Sequence, residues 1–467
     1  RTEILGRLEK YAIDTHLTGI TLFENGGYVK YNPRIDIPTN EYITGYGFGI
    51  LSEGKITGEL LNKQGQPTET NPRYKYYLHS SEIQNPNKMN AWNDTGSQVS
   101  DLVSYISGSY WGTKMNSTKD GYVWYPMLAA DTVNGKANNR PIPVGEVNAL
   151  GLYKTWKIYV KTGANSGLQY RYNGNLTGFE KRNVTLDDYK FIYKLMLTGA
   201  NKLSRGAEMA GDKSYGIKGA QAYFNRTKDM TSQSQINDTW DEMTKTNAGV
   251  QDPSKFSEQQ LGIMTGHDAG GDYLQLELIN EIDEFTAMYT LSSNLVSPMP
   301  EEFFQKLDKD SGGTVLAGIA KYGIGENIAN TTLSLGAYYL ESYDDINIIF
   351  TRNDDYFEVS DERYLIPGVK ITTFKQASQD QLYQYYDTGM IDSCGLPISQ
   401  IKEHSADTDV RQTKGDSTFK LNVNSCNQER WDSLFGLNGS VNQITNSSEA
   451  WTCKPWMSND NFLQGLY

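Results

Sequence analysis

Apolar residues recur along the chain with two different periods, which predicts helices interspersed with strands. Ile4, Leu8 and Tyr11 lie on one face of residues 2–17 at helical spacing, so this stretch is predicted to be an amphipathic helix. Two runs rich in β-forming residues flank residues 24–27, where two glycines favour a hairpin or a tight turn. Strands are therefore expected directly after this helix.

A period of two is clearest in residues 155–163, which are predicted to form a half-buried strand. The residues expected to face inward are Trp156, Ile158 and Val160, and those expected to face outward are Lys157, Tyr159 and Lys161. Thr185 and Asp188 form a capping box that predicts the start of a helix. Further runs at 273–282 and 333–357 predict strands, so the fold class is α+β or mixed α/β with mixed sheets.

The stretch Asp380–Pro397 combines several local signals. A short helix is predicted to begin with Ser378 or Asp380 as N-cap and to end at Gly389, which suits the left-handed position after a helix. A buried strand is predicted to follow through residues 390–391. It is predicted to end in three small residues, Ser393, Cys394 and Gly395. Small side chains at a strand end leave backbone groups available to packing protein or to a ligand.

Composition then limits the classes of partner. The chain has 467 residues, a net charge of −13 at pH 7 and a pI near 5.0, so it lacks the basic field that binds nucleic acid or an anionic membrane. Tyrosine is abundant, with 32 Tyr against 15 Phe and 8 Trp. Tyrosine suits hydrated binding surfaces because it pairs an apolar face with a hydroxyl. An exported protein or a biased genome would give the same excess.

The residues that usually carry metal or covalent chemistry are sparse. The three cysteines are Cys394, Cys426 and Cys453, and whether the last two pair is left open. Four scattered histidines show no metal-ligand spacing, and no CxxC or GxSxG motif occurs. The sequence therefore predicts no metal, no cofactor and no enzymatic activity.

Six segments, taken in order, resemble one family, the extracellular substrate-binding proteins of oligopeptide and dipeptide ABC importers. These segments are WKIYVKTG, NVTLDDY, SPMPEEF, TLSLGAYYLESY with RNDDYF, TGMIDSCGLP and TFKLNVN. Each motif is weak alone, and their shared order makes the resemblance specific over roughly residues 75–467. Ala337 departs from the pattern, because the family usually has proline there. The resemblance implies a periplasmic-binding-protein-like fold.

The resemblance also implies a set of ligand-binding residues. SSEIQN corresponds to a ligand-facing strand of the first lobe, YITGYGFG to the pocket rim, IDSCGLP to the pocket floor and KLNVN to the hinge region. The residues implied are Tyr46 at the rim, Glu82, Ile83 and Gln84 on the strand, Ser393, Cys394 and Gly395 at the floor, and Asn422 and Asn424 near the hinge. Ordinary core packing or turn chemistry is the alternative interpretation for each.

The order of the segments differs from that of the family. Residues 1–61 resemble the family's C-terminal return into lobe one, 62–75 read as a linker, 76–418 as lobe one, and 419–467 as the hinge crossing and the start of lobe two. We therefore expect a permuted unit or a slice of a tandem array, with most of lobe two missing from this chain. The missing lobe is expected to come from a second copy or from a remaining segment.

The implied function is capture of oligopeptides outside the cell, by a cell-surface lipoprotein or a periplasmic protein, for delivery to an ABC import permease. The ligand is expected between two lobes, bound mainly through its own backbone. Three alternatives remain open: a carbohydrate-binding lipoprotein of an ABC importer, a secreted glycoside hydrolase, and an adhesive cell-surface protein. The sequence leaves open the ligand's length and the protein's oligomeric state.

Overall fold

The computed structural model describes residues 2–11, 20–24, 26–94, 96–138, 140–244, 260–309, 313–415 and 418–421. The chain divides into two compact units, one formed by Arg1–Tyr28 with Gln412–Tyr467 and the other by Val29–Arg411. The sequence predicted four segments from their resemblance to parts of a family, at 1–61, 62–75, 76–418 and 419–467. Division into compact units does not test that assignment, so it stays a prediction. No helix of the described ranges is long and apolar enough to span a membrane.

Helices and strands alternate along the described residues, which confirms the mixed fold class. The helices are α1 (Thr2–Tyr11), α2 (Ile50–Glu53), α3 (Ser97–Ser104), α4 (Leu186–Leu197), α5 (Ser204–Gly211), α6 (Ala220–Thr227), α7 (Gln233–Thr244), α8 (Glu284–Leu291), α9 (Glu301–Leu307), α10 (Val315–Ile319), α11 (Gln379–Asp387) and α12 (Ile398–His404). The strands are β1 (Ile20–Glu24), β2 (Gly27–Tyr31), β3 (Ile35–Asp36), β4 (Lys55–Ile56), β5 (Leu78–Glu82), β6 (Trp111–Met115), β7 (Tyr122–Pro126), β8 (Thr132–Val133), β9 (Lys136–Ala137), β10 (Ile142–Val144), β11 (Tyr153–Tyr159), β12 (Gln169–Arg171), β13 (Lys181–Asn183), β14 (Ile263–Asp268), β15 (Gly271–Ile282), β16 (Tyr338–Tyr343), β17 (Asn347–Arg352), β18 (Gly368–Thr373), β19 (Ser393–Gly395), β20 (Val410–Thr413) and β21 (Thr418–Leu421).

An antiparallel sheet of order β10-β11-β15-β14 packs against helix α4 in the larger unit. Helix α4 begins at the predicted capping box, in which Thr185 and Asp188 bond each other's backbone. Trp156 and Ile158 on β11 are fully buried, as predicted, and belong to the largest hydrophobic cluster. This sheet is therefore the main structural support of the unit.

The second face of β11 is also covered, so the prediction that Lys157, Tyr159 and Lys161 face outward is wrong. Lys157 lies over the Tyr273 ring at 3.9 Å and pairs with Asp268 at 2.9 Å. Lys161 is 5% exposed as a side chain and donates to three backbone carbonyls and to the Asp131 carboxylate. Lysine side chains can lie on this covered second face because their ammonium groups have hydrogen-bond partners.

A second four-stranded sheet has the order β16-β17-β18-β5 and mixed direction. Strands β16, β17 and β18 are antiparallel, and β5 pairs parallel to β18 with His79 opposite Lys370. A parallel neighbour needs a long connection, and here β5 and β18 are far apart in the chain. Strand β5 is the last strand of this sheet and therefore an edge strand.

The region 378–397 confirms some local predictions and corrects one. Helix α11 begins with a capping box of Ser378 and Gln381 and is followed by Gly389 at φ 72°, as predicted. The strand predicted at residues 390–391 is wrong, because the strand is Ser393–Gly395 itself, paired antiparallel to β2. The backbone N–H of Met390 instead bonds the helix carbonyl of Tyr385, which keeps the chain in a turn there.

In the smaller unit, β1 pairs antiparallel to β21, with Ile20 opposite Leu421 and an irregularity between Thr21 and Phe23. Of the hairpin or tight turn predicted around residues 24–27, the hairpin is wrong, because β2 pairs with β19 and β20. The tight turn stays a prediction, since Asn25 lies outside the described residues. Helix α1 confirms the predicted amphipathic helix over Thr2–Tyr11, and the remainder of that prediction falls outside the described residues. Strand β1 pairs with a strand about 400 residues away in sequence. Turn residues next to β1 cannot predict such a partner.

Candidate functional site

The outer edge of β5 is partly occupied by one residue, Asp392, through its backbone and its side chain. The backbone N–H of Asp392 donates to the His79 carbonyl at 2.8 Å, and its carboxylate accepts from the His79 N–H at 2.6 Å. Asp392 therefore takes both backbone groups that His79 offers on the side away from β18, as a neighbouring strand would.

Arg34 holds Asp392 in this position. Its Nε and Nη2 donate to the two carboxylate oxygens, each at 2.7 Å. The remaining guanidinium donors reach the carbonyls of Gly58, Lys75 and Tyr77. The Asp392 side chain is 0% exposed and that of Arg34 is 4% exposed, so the pair is buried and fully hydrogen-bonded. A bidentate pair of this kind fixes geometry as well as charge.

The same edge of β5 is open at Ser81, two residues after His79. The N–H and C=O of a strand residue point to the same edge and alternate from residue to residue, so Ser81 faces the same side as His79. Glu82 faces β18 instead, since its carbonyl accepts from the Phe374 N–H at 2.8 Å. Within the described part of the chain, no hydrogen bond engages the outward backbone groups of Ser81. An extended ligand can therefore pair there as an added strand.

The three strand residues implied by the resemblance lie at the end of this edge. Glu82 is half-buried, and burial together with the nearby Asp101 carboxylate raises the pKa of its carboxyl group. Ile83 is 47% exposed, and its carbonyl accepts from the Gln376 N–H. Gln84 is exposed. Their side chains are available to a neighbour, while two of their carbonyls are already used by the segment after β18.

The floor residues lie close to this edge because Asp392 precedes them. Cys394 is 7% exposed and packs in a small cluster with Tyr386 and Ile391, against which Phe374 also packs. Burial raises the pKa of the Cys394 thiol to about 12, which opposes a nucleophilic role. The Gly395 carbonyl accepts from the Gln379 amide. Asp392 and Phe374 both connect this strand to β5, so the structure brings the predicted strand and floor residues into one neighbourhood.

Tyr46 lies apart from these residues. Its hydroxyl bonds Ser52 and the Glu53 carboxylate, and burial followed by the bond to Glu53 raises its pKa. Its ring stacks on Tyr122 with centroids 6.2 Å apart. Gly45 has φ 79°, a left-handed conformation that favours glycine. In the described residues, no hydrogen bond or ring contact joins Tyr46 to the β5 edge.

Asn422 and Asn424 lie outside the described residues, as do Cys426 and Cys453. Their predicted roles stay predictions. In the described ranges, no group of three or more His, Cys, Asp or Glu side chains is arranged to hold a metal ion. The site as described is therefore an edge of backbone groups with polar and apolar side chains around it.

Sequence reasoning missed the two residues that shape this edge, Ser81 and Asp392. Asp392 stands inside the IDSCG segment, between buried Ile391 and Cys394, and is itself completely buried. An acid in an apolar run is a signal for a buried partner, because a charge is rarely buried unpaired. Its partner Arg34 is 358 residues away in sequence, and no local pattern points to it.

No protein-family model and no curated protein matches the chain. The solved structures that it resembles include the substrate-binding domain of an oligopeptide ABC transporter from Bacillus anthracis, with 14% identity and a TM-score of 0.46. They also include Listeria monocytogenes OppA bound to peptide, with 10% identity and a TM-score of 0.44, and the Escherichia coli murein tripeptide binding protein MppA, with 14% identity and a TM-score of 0.42. Each comparison covers 71% of this chain and 48% of the other. The chain thus spans about half the length of the solved structures that it matches.

Proposed function

We propose that the protein captures oligopeptides outside the cell and delivers them to an ABC import permease in the membrane. An extended peptide pairs with the outer edge of β5 at Ser81, beyond the point where Asp392 occupies that edge. The observation that carries the proposal is this open edge, flanked by the residues that the resemblance assigns to the ligand strand and the pocket floor.

Binding through backbone groups has a consequence for selectivity. Hydrogen bonds between two backbones do not depend on the ligand's side chains, so peptides of different sequence bind by the same contacts. The half-buried carboxyl group of Glu82 and the apolar side chain of Ile83 then adjust the preference. A second lobe, supplied by another copy or by a remaining segment, closes over the ligand and presents the closed form to the permease.

A thermal-shift panel of mixed tri- to pentapeptides and of oligosaccharides tests the proposal. A ligand that binds only the folded state raises its apparent stability, by about 2.7 kcal/mol at a hundredfold excess over Kd. We expect peptides to raise the Tm and neutral oligosaccharides to leave it unchanged. Stabilisation by saccharides alone contradicts the proposal.

A glycine variant locates the site within this panel. In Gly395→Trp a Cβ lies 3.0 Å from the amide nitrogen of Gln379, which donates to the Gly395 carbonyl, so the end of this flexible side chain has to shift to admit the new one. We expect this variant to lose peptide stabilisation while keeping its Tm without ligand. Gly58→Trp is the matched control, because nothing lies within 4 Å of a Cβ there. Equal peptide stabilisation in both variants contradicts the assignment of Gly395 to the pocket floor.

Oligosaccharide binding is the second candidate, and a group of exposed rings favours it. Tyr289 is 66% exposed and Phe285 is 52% exposed, and their rings stack with centroids 6.3 Å apart. Trp124 meets Tyr289 edge to face at 6.3 Å. Flat aromatic faces of this kind suit the apolar faces of sugar rings. The same thermal-shift panel distinguishes the two candidates.

A further inference from the structure

A cleft of about 550 Å³ lies on the larger unit, between the turn after α4, the end of α6 and helix α10. Its floor is apolar, with Leu203 and Ile319 buried and Leu316 beside them. The volume falls in the range of ligand pockets, which are mostly apolar with a few placed polar groups. Among the residues that the structure describes, none of those predicted from the sequence to bind a ligand lines this cleft.

Two lysines line the mouth of the cleft, Lys202 and Lys228, together with one acid, Asp229. In the ranges that the structure describes, neither lysine forms an ion pair, whereas neighbouring Arg205 and Arg226 are paired with glutamates at 2.9 and 2.6 Å. Two lysines against one aspartate leave a local positive charge in a protein whose net charge is −13. An anionic group is therefore the complement of this mouth.

Lys202 is held in a strained backbone conformation. It has φ 54° and ψ 35°, the left-handed region, at the end of a short turn of 3₁₀ helix. A side chain with a Cβ is disfavoured there, and glycine or asparagine is the usual occupant. Lys202 adopts this conformation as the residue that ends the turn, with its backbone N–H bonded to the Gly199 carbonyl. Lys202 is exposed and lines the cleft beside buried Leu203.

We propose that this cleft binds a small carboxylate with an aliphatic body. The carboxylate pairs with the ammonium groups of Lys202 and Lys228, and the aliphatic part covers Leu203, Leu316 and Ile319. The site is separate from the edge of β5 and does not depend on peptide binding.

The test uses hexanoate as the anionic probe and 1-hexanol as its neutral counterpart, titrated into the whole chain and followed by ligand-observed NMR. We expect saturable binding of hexanoate and at least tenfold weaker binding of hexanol, since a charge-assisted hydrogen bond contributes about a factor of ten. Lys228→Met is expected to weaken hexanoate binding by about tenfold as well. Equal affinity for both probes, or no binding of hexanoate, overturns the proposal.

Lys202→Gly separates function from folding. Glycine relieves the left-handed strain, so this variant is expected to raise the Tm while weakening hexanoate binding by about tenfold. Lys119→Gly is the matched control, because Lys119 also has a positive φ, of 58°, and loses the same charge at a distant turn. We expect it to raise the Tm and to leave hexanoate binding unchanged. Equal hexanoate affinity in the two variants overturns the role of Lys202.

Discussion

The two four-stranded sheets of the larger unit differ in what they offer to a partner. In the antiparallel sheet, β11 lies between two neighbours, and the lysines on its second face are bonded to carboxylates and carbonyls. The mixed sheet ends at β5, whose outer edge is occupied at His79 and open at Ser81. The interior strand β11 is thus covered on both faces, whereas the edge of β5 is closed only in part.

This difference between the two sheets shows that Asp392 affects the edge of β5 in two ways. By pairing with His79 it stops the edge from accepting a strand along its whole length, which protects an edge strand from non-specific pairing. By ending there it leaves open the outward backbone groups of Ser81, where we propose that a peptide pairs. Removing support from the antiparallel sheet should therefore cost stability alone, whereas changes at the β5 edge should alter binding.

The largest effect is expected at the buried pair. Asp392→Ala leaves the Arg34 guanidinium buried without its carboxylate, and breaking a buried pair by removing one partner costs about 3–5 kcal/mol. Urea unfolding measures this loss in the free energy of unfolding. Asp387→Ala is the control, because its partner Lys63 is 64% exposed as a side chain, and such surface pairs contribute about 0–1 kcal/mol. Similar losses in the two variants would show that the Arg34 pair does not hold the edge.

The Cys394 thiol should resist alkylation in the folded protein. Burial raises its pKa from 9.0 to about 12, so the reactive thiolate is on the order of 10³-fold rarer than in an unfolded chain at pH 8. Because the folded state disfavours the thiolate, this group's contribution to stability is lost as the pH rises above 9.0. Iodoacetamide labelling followed by peptide mapping measures Cys394 alone. Labelling as fast as in the urea-unfolded chain would contradict the buried position.

Ile158→Ala tests the antiparallel sheet. Ile158 is 0% exposed, and truncation of a buried isoleucine costs about 2–5 kcal/mol through lost burial and a cavity. We expect a lower free energy of unfolding and unchanged peptide affinity at temperatures where the variant is folded. Calorimetric titration with the peptide that gives the largest thermal shift provides the affinity. A large change in affinity would mean that the two sheets are not separable.

Ser81→Pro tests the open edge with a smaller effect. Proline removes the N–H that faces away from β18, and an edge strand tolerates proline where that N–H faces solvent. Loss of one backbone hydrogen bond to a ligand corresponds to about 0.5–1.5 kcal/mol, so peptide affinity should fall by up to about tenfold. The same titration measures it, with urea unfolding as the stability control. Unchanged affinity in a folded Ser81→Pro variant would exclude pairing at this position.

Local signals in the sequence predicted local structure well. The caps of α4 and α11 and the left-handed Gly389 were readable because they depend on residues within one turn of each other. The alternating run at β11 identified the strand for the same reason. The covered second face was missed because the partners of Lys157, Asp268 on β14 and Tyr273 on β15, lie more than a hundred residues away in sequence.

The site was only partly predictable. The SSEIQN and IDSCGLP segments predicted ligand-binding roles for Glu82 and Cys394. The structure places the strands of these two residues near each other. The open backbone of Ser81 was not visible, because it depends on β5 lying at the end of a sheet and on where Asp392 binds. Edge position is a property of topology, and hydrophobic pattern does not specify it.

Amide hydrogen exchange along β5, measured with and without a saturating mixture of tri- to pentapeptides, tests the central claim most directly. His79 provides the internal reference, because its N–H already donates to the Asp392 carboxylate and should be protected in both states. The Ser81 N–H should exchange quickly in the free protein and become protected when peptide binds. Exchange at Ser81 that is equally fast with saturating peptide would contradict strand addition at this edge.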